Sequence, residues 1–313
     1  MTVIVYRLQP WAFVDRLVVD LCPPEFSLVQ MPRDASAAER ADLLRDAEFL
    51  MGSWVTTSVT LREADYQAAP RLKLVQLMSA GYEHVDLGLA GRFGVPVSTF
   101  GDAMASVVAE HTLLLMLAVY RRLLQLDAAV RSGAWRTNEP PLRELRGKRV
   151  GLVGMGYIGR EVASRLRAFG AEVVYFSRHD ASTPLDELLA TSDIVSLHVA
   201  LTPSTRGMIG QRELTLMKSD AVLINTSRGP VVDQAALLAA LLDGRLAGAG
   251  LDVLDPEPPS VEDPLLKLPN VVFTPHNAGQ AEDVWPRIVR TCFDNVQRVA
   301  RGEPPRFLAR PLD

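Results

Sequence analysis

Residues 148–177 read KRVGLVGMGYIGREVASRLRAFGAEVVYFS, and this stretch decides the fold. KRVGLVG is an apolar run of strand length, Tyr157–Phe169 has the spacing of an amphipathic helix, and EVVYFS is a second strand. Between the first strand and the helix stand Gly154, Gly156 and Gly159, spaced G-x-G-x-x-G. Gly154 permits a tight turn, Gly156 lets a phosphate approach the backbone, and Gly159 lets the helix lie close on its strand. The helix start, with Tyr157 and Ile158 in its first turn, presents N–H groups and a positive dipole end to a dinucleotide pyrophosphate. Glycine turns are common at such junctions; the flanking strand and helix favour the binding reading over a packing one.

Beyond this unit, DIVSLHV, AVLINTS, AGAGLDV and VVFTPH read as further strands, separated by helix-like Pro184–Ala190, Arg212–Met217 and Gln234–Asp243. That is a doubly wound sheet of about six strands. Upstream, Val3–Tyr6, Phe49–Met51, Leu74–Met78 and Val95–Ser98 look like buried strands, with a helix at Ala35–Arg45 that Asp34 is placed to cap. A single apolar helix is expected from Ala103 to Arg131, buried between domains or subunits, then an irregular connector at Ser132–Arg143 with Pro140 and Pro141. Glu282–Ala300 reads as a helix returning to the first domain. The fold class is therefore α/β: two Rossmann-like doubly wound parallel-sheet domains with a cleft between them.

The strand ends carry the chemistry. Arg228 ends AVLINTS at the edge where open α/β sheets bind ligands, and its fork suits a substrate carboxylate and carbonyl. His276 ends VVFTPH, where an imidazolium can protonate a developing alkoxide. A lone histidine after a strand is usually structural, and Glu257 in its proline-rich turn would be unremarkable alone. As a pair they make sense, because a carboxylate on one ring nitrogen favours the imidazolium and fixes its orientation. Asp252 in GAGLDV is either a nicotinamide carboxamide partner or a capping aspartate. Ser79, Ala80 and Gly81 form a turn whose N–H groups suit a small carboxylate. His84, His111, His179 and His198 show no partner in the sequence and read as structural or exposed.

After EVVYF stand Ser177 and Arg178, where an acid would bind a ribose 2′-hydroxyl. Arg178 can pair with a 2′-phosphate, which favours NADP(H), while NAD(H) stays open through Asp180 and a merely solvated Arg178 through its loop.

The bulk properties set limits. A net charge of −4 with a pI near 5.8 leaves no basic footprint for nucleic acid or an anionic membrane. The longest apolar run, Thr112–Tyr120, is short of the ~20 residues of a membrane span. Cys22 and Cys292 make no disulfide framework, and no cluster has metal-ligand spacing. A soluble, cytoplasmic protein without a metal is expected.

Taken together, SAGYEHVDL, VAEHTLLLMLAVYRR, ELRGKRVGLVGMGYIGREVA, SLHVALTPSTRGMI and TPHNAG resemble the D-isomer-specific 2-hydroxyacid dehydrogenase family across nearly the whole chain. The resemblance implies Arg228, Glu257 and His276 as catalytic trio, Asp252 on the nicotinamide side, and Ala80 and Gly81 in the substrate-carboxylate loop. Thr226 and Gly279 fall within the implied cofactor contacts. It implies a substrate domain from 1–100 with 287–313, a cofactor domain at 101–286, and a homodimer joined through the cofactor domain. The Ser177–Arg178 pair is similar to that of the NADP-preferring glyoxylate and hydroxypyruvate reductases. Two departures stand out: Phe100–Gly101 where a Pro–Gly step is frequent, and Asn277 beside the histidine, where the pocket would be altered. Trp54, Met78, Tyr82, Met104 and Trp285 are candidate pocket residues. The expected activity interconverts a small 2-oxo acid and its D-2-hydroxy acid. Alternatives are a dehydrogenase of phosphoglycerate, formate or phosphite, and a dinucleotide-sensing binding protein like the C-terminal-binding-protein corepressors.

Overall fold

The computed structural model describes residues 2–7, 12–52, 61–135, 142–178 and 180–311; Trp54, Pro140, Pro141 and His179 lie outside them. The chain forms two compact units, one from residues up to Met104 together with those from Ala281 onward, the other from Ala105–Gln280.

The first unit holds a five-stranded parallel sheet: β1 (Thr2–Arg7), β2 (Phe26–Gln30), β3 (Ala47–Gly52), β4 (Leu74–Leu77) and β5 (Val97–Ser98), ordered β2-β1-β3-β4-β5. β3 and β4 are buried along their whole length, as a sheet covered on both faces requires. β2 was not foreseen: as an edge strand with the burial pattern of a half-covered element, it lacks a continuous apolar run. The helix at Ala37–Leu44 is capped by Ser36, not Asp34, through a capping box with Glu39. The C-terminal helix, Trp285–Ala300, belongs to this unit and buries Ile288, Val289, Cys292, Phe293 and Val296. Its Asn295 donates to Gln76 Oε1 at 2.9 Å and to Ser98 Oγ at 3.0 Å, tying the returning chain to the sheet. Beyond it Leu308 bridges Ser98, and Phe307 lies so near Gly101 that a Cβ there would meet its ring at 2.3 Å. That contact, with a φ of 64°, calls for glycine at 101.

The second unit holds β6 (Arg149–Val153), β7 (Glu172–Phe176), β8 (Ile194–Leu197), β9 (Val222–Asn225), β10 (Gly248–Leu251) and β11 (Val271–Phe273), all parallel, ordered β11-β10-β9-β8-β6-β7. The order reverses between β6 and β8, so the glycine turn after β6 sits at the switch point where such sheets bind ligands. The expected long helix is two: Ala105–Tyr120 and Leu123–Arg131, separated at Arg122, whose φ of 48° is left-handed. The first packs on its own unit's sheet. Gly250 in β10 makes the room, since a Cβ there would lie 3.0 Å from Leu115 Cβ and 2.9 Å from Ile224 Cδ1.

Candidate functional site

β11, β10 and β9 are neighbours and parallel, so the chain leaves all three at one edge. Arg228 lies shortly after β9, Asp252 directly after β10 with Glu257 in the following turn, and His276 shortly after β11. Adjacency in the sheet, not in sequence, brings them together.

Each turn is fixed by short-range bonds. Asn225 Nδ2 donates to the Arg228 carbonyl at 3.0 Å, and its Oδ1 accepts from the Ser227 N–H at 3.0 Å and hydroxyl at 2.8 Å. The half-buried Arg228 guanidinium donates to the Ser227 carbonyl at 2.8 Å. The next residue, Gly229, touches the Glu257 turn so closely that a Cβ would lie 1.9 Å from Leu254 O. No other residue permits this approach.

Glu257 Oε1 accepts from the Leu254 N–H at 3.0 Å, and Oε2 lies 2.6 Å from His276 Nδ1. Burial pushes the Glu257 carboxyl up, but the His276 hydrogen bond, the Leu254 amide and the charges of His276 and Arg228 outweigh it and hold it below its ordinary value. A carboxylate can only accept, so Nδ1 carries the proton and Nε2 is left as the exchanging atom. Nε2 makes no hydrogen bond among the described residues.

His276 has φ 50°, a region that side chains rarely adopt. Asp252 holds it there. The His276 N–H donates to the Asp252 carbonyl at 2.8 Å. Asp252 Oδ1 and Oδ2 accept from the N–H groups of Asn277 and Ala278 at 2.9 and 3.0 Å. Thr274 Oγ1 donates to Oδ1 at 2.6 Å, and His111 Nε2 lies 2.9 Å from that hydroxyl. Asp252 is 2% exposed, and its carboxylate accepts from three protein donors, as a capping aspartate does. Thr274 and His111 were missed: 163 positions separate them, and only the sheet brings them together. His111 therefore has a partner, contrary to the sequence reading.

The glycine turn fits a dinucleotide. Gly154 has φ 104°, and a Cβ there would strike His198 O at 2.4 Å; at Gly159 it would strike Gly154 O at 2.3 Å. In front of Gly156 nothing lies within 4 Å, so that space is a cradle a side chain would fill. Gly156 caps the helix Tyr157–Ala168 without a side-chain hydrogen bond, and Tyr157 is exposed beside half-exposed Ile158. His198, behind the turn, bonds Ser196 at 2.9 Å, and burial pushes its imidazole down to about 4. It is a structural histidine, in agreement with the sequence reading.

After β7 come Ser177 and the exposed Arg178, which pairs with no described residue. Asp180, the alternative acid, accepts instead from the Tyr175 hydroxyl at 3.0 Å. Thr226 is buried, its hydroxyl 3.1 Å from Thr112 Oγ1, whose own proton goes to the Val108 carbonyl. Gly279 sits in the turn closed by the Gln280 N–H on the Asn277 carbonyl at 2.8 Å. In the first unit Ser79, Ala80 and Gly81 follow β4, with Ser79 Oγ donating to the Gly81 carbonyl at 2.9 Å.

A glycine turn at the switch point of a parallel sheet, beside charged strand ends, is where open α/β folds bind a dinucleotide. The NAD-binding domain of the D-isomer-specific 2-hydroxyacid dehydrogenases matches residues 113–278. A glyoxylate reductase of Thermococcus litoralis is 36% identical over 318 residues, 95% of this chain and 96% of that protein. The NAD complex of a D-isomer-specific 2-hydroxyacid dehydrogenase from Lactobacillus delbrueckii ssp. bulgaricus superposes with a TM-score of 0.84 at 28% identity, covering 99% of this chain and 100% of the other. An acyclic imino acid reductase in complex with NADPH and D-Arg gives 0.85 at 27%, with the same coverage. This chain belongs to the D-isomer-specific 2-hydroxyacid dehydrogenase family; it is an oxidoreductase with a dinucleotide-binding domain. Among the described residues no helix is long and apolar enough to cross a membrane.

Proposed function

We propose that the protein reduces a small 2-oxo acid to the D-2-hydroxy acid, with glyoxylate or hydroxypyruvate as the substrate class and NADP(H) as the preferred cofactor, NAD(H) serving less well. The single observation that carries the reading is the 2.6 Å contact of Glu257 Oε2 with His276 Nδ1, on the sheet edge that also carries Arg228. Bound at the glycine turn, the dinucleotide supplies the hydride. The protein's residues do the rest. His276 gives its Nε2 proton to the developing alkoxide and regains it in the reverse direction. Glu257 aligns the ring and stabilises its charge, and Arg228 orients the substrate carboxylate and polarises the carbonyl. Ser79, Ala80 and Gly81 of the first unit are assigned to the substrate carboxylate, through backbone N–H groups.

The first unit is assigned as substrate domain and the second as cofactor domain. Gly154, Gly156, Tyr157, Ile158 and Gly159 hold the pyrophosphate; Thr226, Asp252 and Gly279 border the nicotinamide end. The preference for NADP(H) is supported by Arg178 beside Ser177, which pairs with no described residue, and by the engagement of Asp180 with Tyr175. A homodimer through the cofactor domain is supported by Leu114, Leu123, Leu124 and Val130, all about half exposed on the helices Ala105–Tyr120 and Leu123–Arg131. Two free cysteines suit a cytoplasmic setting.

The test is consumption of NADPH and NADH in parallel with glyoxylate, hydroxypyruvate, pyruvate, phenylpyruvate and phosphohydroxypyruvate. Fastest turnover is expected with NADPH and one of the first two acids. Turnover with NADH alone removes the role of Arg178, and none with any acid removes the 2-oxo acid reading.

A further inference from the structure

We infer that His111 is a positioning residue for His276, acting through the Thr274 hydroxyl and the Asp252 carboxylate; the inference rests on the assignment of His276 as proton donor. The proton count decides the direction of the chain. Thr274 has one hydroxyl proton, and its 2.6 Å contact with Asp252 Oδ1, which can only accept, commits it there. In the 2.9 Å contact with His111, Thr274 Oγ1 is therefore the acceptor, and His111 carries hydrogen on Nε2. The ring stands 3.7 Å from Asp252 Oδ1, beyond hydrogen-bond reach, so its hold on the carboxylate passes through the hydroxyl.

What the carboxylate holds is the turn that carries His276. Asn277 and Ala278 each donate an N–H to it, at 2.9 and 3.0 Å, immediately after the residue kept at φ 50°. With the His111 donor gone, the Thr274 hydroxyl can rotate away, and the Asp252 carboxylate loses one of its three donors, the only one from a side chain among the described residues. The carboxylate is then held by the two following amides alone, a weaker anchor for the turn. His276 would lose the fixed backbone from which its ring meets both Glu257 and the substrate. The side chains of His111 and Asp252 are 15% and 1% exposed, so a lost donor there costs more than it would at the surface.

The experiment compares full-length wild-type enzyme with His111→Leu, His111→Gln, Thr274→Val and the double variant His111→Leu/Thr274→Val. Readouts are kcat and KM with the best 2-oxo acid, dinucleotide Kd by fluorescence, and hydrogen exchange of the 276–279 amides without substrate. His111→Leu and Thr274→Val are each expected to lower kcat about tenfold, the worth of one buried hydrogen bond, with Kd for the dinucleotide within about twofold. His111→Gln keeps an N–H donor at the same reach and is expected to restore kcat to within about threefold. The double variant is expected to be no worse than Thr274→Val alone, because both changes break one chain. Exchange of the Asn277 and Ala278 amides should quicken in His111→Leu whether or not a substrate has been found. Unchanged exchange in that variant overturns the inference. So does wild-type kcat in it, a loss that glutamine does not restore, or full additivity in the double variant. Quickened exchange in an enzyme that turns over no 2-oxo acid keeps the chain from His111 and refutes the role of His276. If His111→Leu does not fold, His111→Gln and Thr274→Val decide: near-normal and tenfold-reduced kcat respectively support the chain, and any other pattern overturns it.

Discussion

Replacing Gly229 with alanine should separate the two turns on which the chemistry is assigned. The added Cβ would sit 1.9 Å from Leu254 O, 2.2 Å from Leu254 C and 2.9 Å from Asp255 N. All three are backbone atoms, so no side chain can swing aside. Relief to ordinary contact at 3.4 Å requires the backbones to part by about 1.5 Å. That carries Arg228, one residue before Gly229, away from Glu257, three residues after Leu254. A misplacement of about 1 Å in a catalytic group costs about 100-fold, so kcat should fall by at least about that factor. Overpacking of this kind also costs about 1–3 kcal/mol of stability, visible as a lowered Tm. Dinucleotide Kd should stay within about threefold, because the glycine turn follows β6, with β8 between it and β9. The assay is initial-rate reduction of glyoxylate, with fluorescence titration for the dinucleotide. Gly91→Ala is the control: it is helical, nothing lies within 4 Å of its Cβ, and it should leave kcat unchanged. Should Gly229→Ala turn over within about threefold of wild type, the contact between these turns does not govern the site.

Arg228→Ala should lower kcat/KM by about 100- to 1,000-fold and leave dinucleotide Kd nearly untouched; near-normal turnover would end its assignment as the substrate-orienting residue. Arg178→Ala should raise KM for NADPH by about tenfold or more while KM for NADH stays level, and an equal change in both would contradict a 2′-phosphate contact. Glu257→Gln tests the depressed carboxyl through pH. A carboxyl held below its ordinary value contributes stability that is complete above about pH 5 and is lost as pH falls through the folded value. The Tm advantage of wild type over Glu257→Gln should therefore shrink as pH falls from about 5 towards 3. An advantage that grows on acidification would contradict the direction of the shift.

Much of this arrangement was legible because backbone geometry dictates residue type. Gly154, at φ 104° and pressed against His198 O, admits only glycine, so the turn is written in the sequence. Arg228, Glu257 and His276 were legible through a different rule, that strand ends of parallel sheets gather at one edge. Other features depend on partners far along the chain. The break between Tyr120 and Leu123 falls at Arg122 without a glycine or proline to mark it, so one continuous apolar helix was the natural reading. Ser36 with Glu39 spelled a capping box that nearby Asp34 obscured, and β2 hid as an edge strand. Nothing local to His111 points to Thr274, because the contact exists only once the helix Ala105–Tyr120 lies on β11.

The return of the chain after Gln280 has a consequence for biosynthesis. The second unit is one continuous segment, Ala105–Gln280, and is complete as soon as its last strand has left the ribosome. The first is not: Ser98 in β5 waits for Asn295 and Leu308, some 200 residues later. At about 5–20 residues per second, that is a delay of roughly 10–40 s during which Gln76 and Ser98 lack their partner Asn295. The inner unit is thus expected to fold first during translation, and the outer one to close only when the final helix arrives.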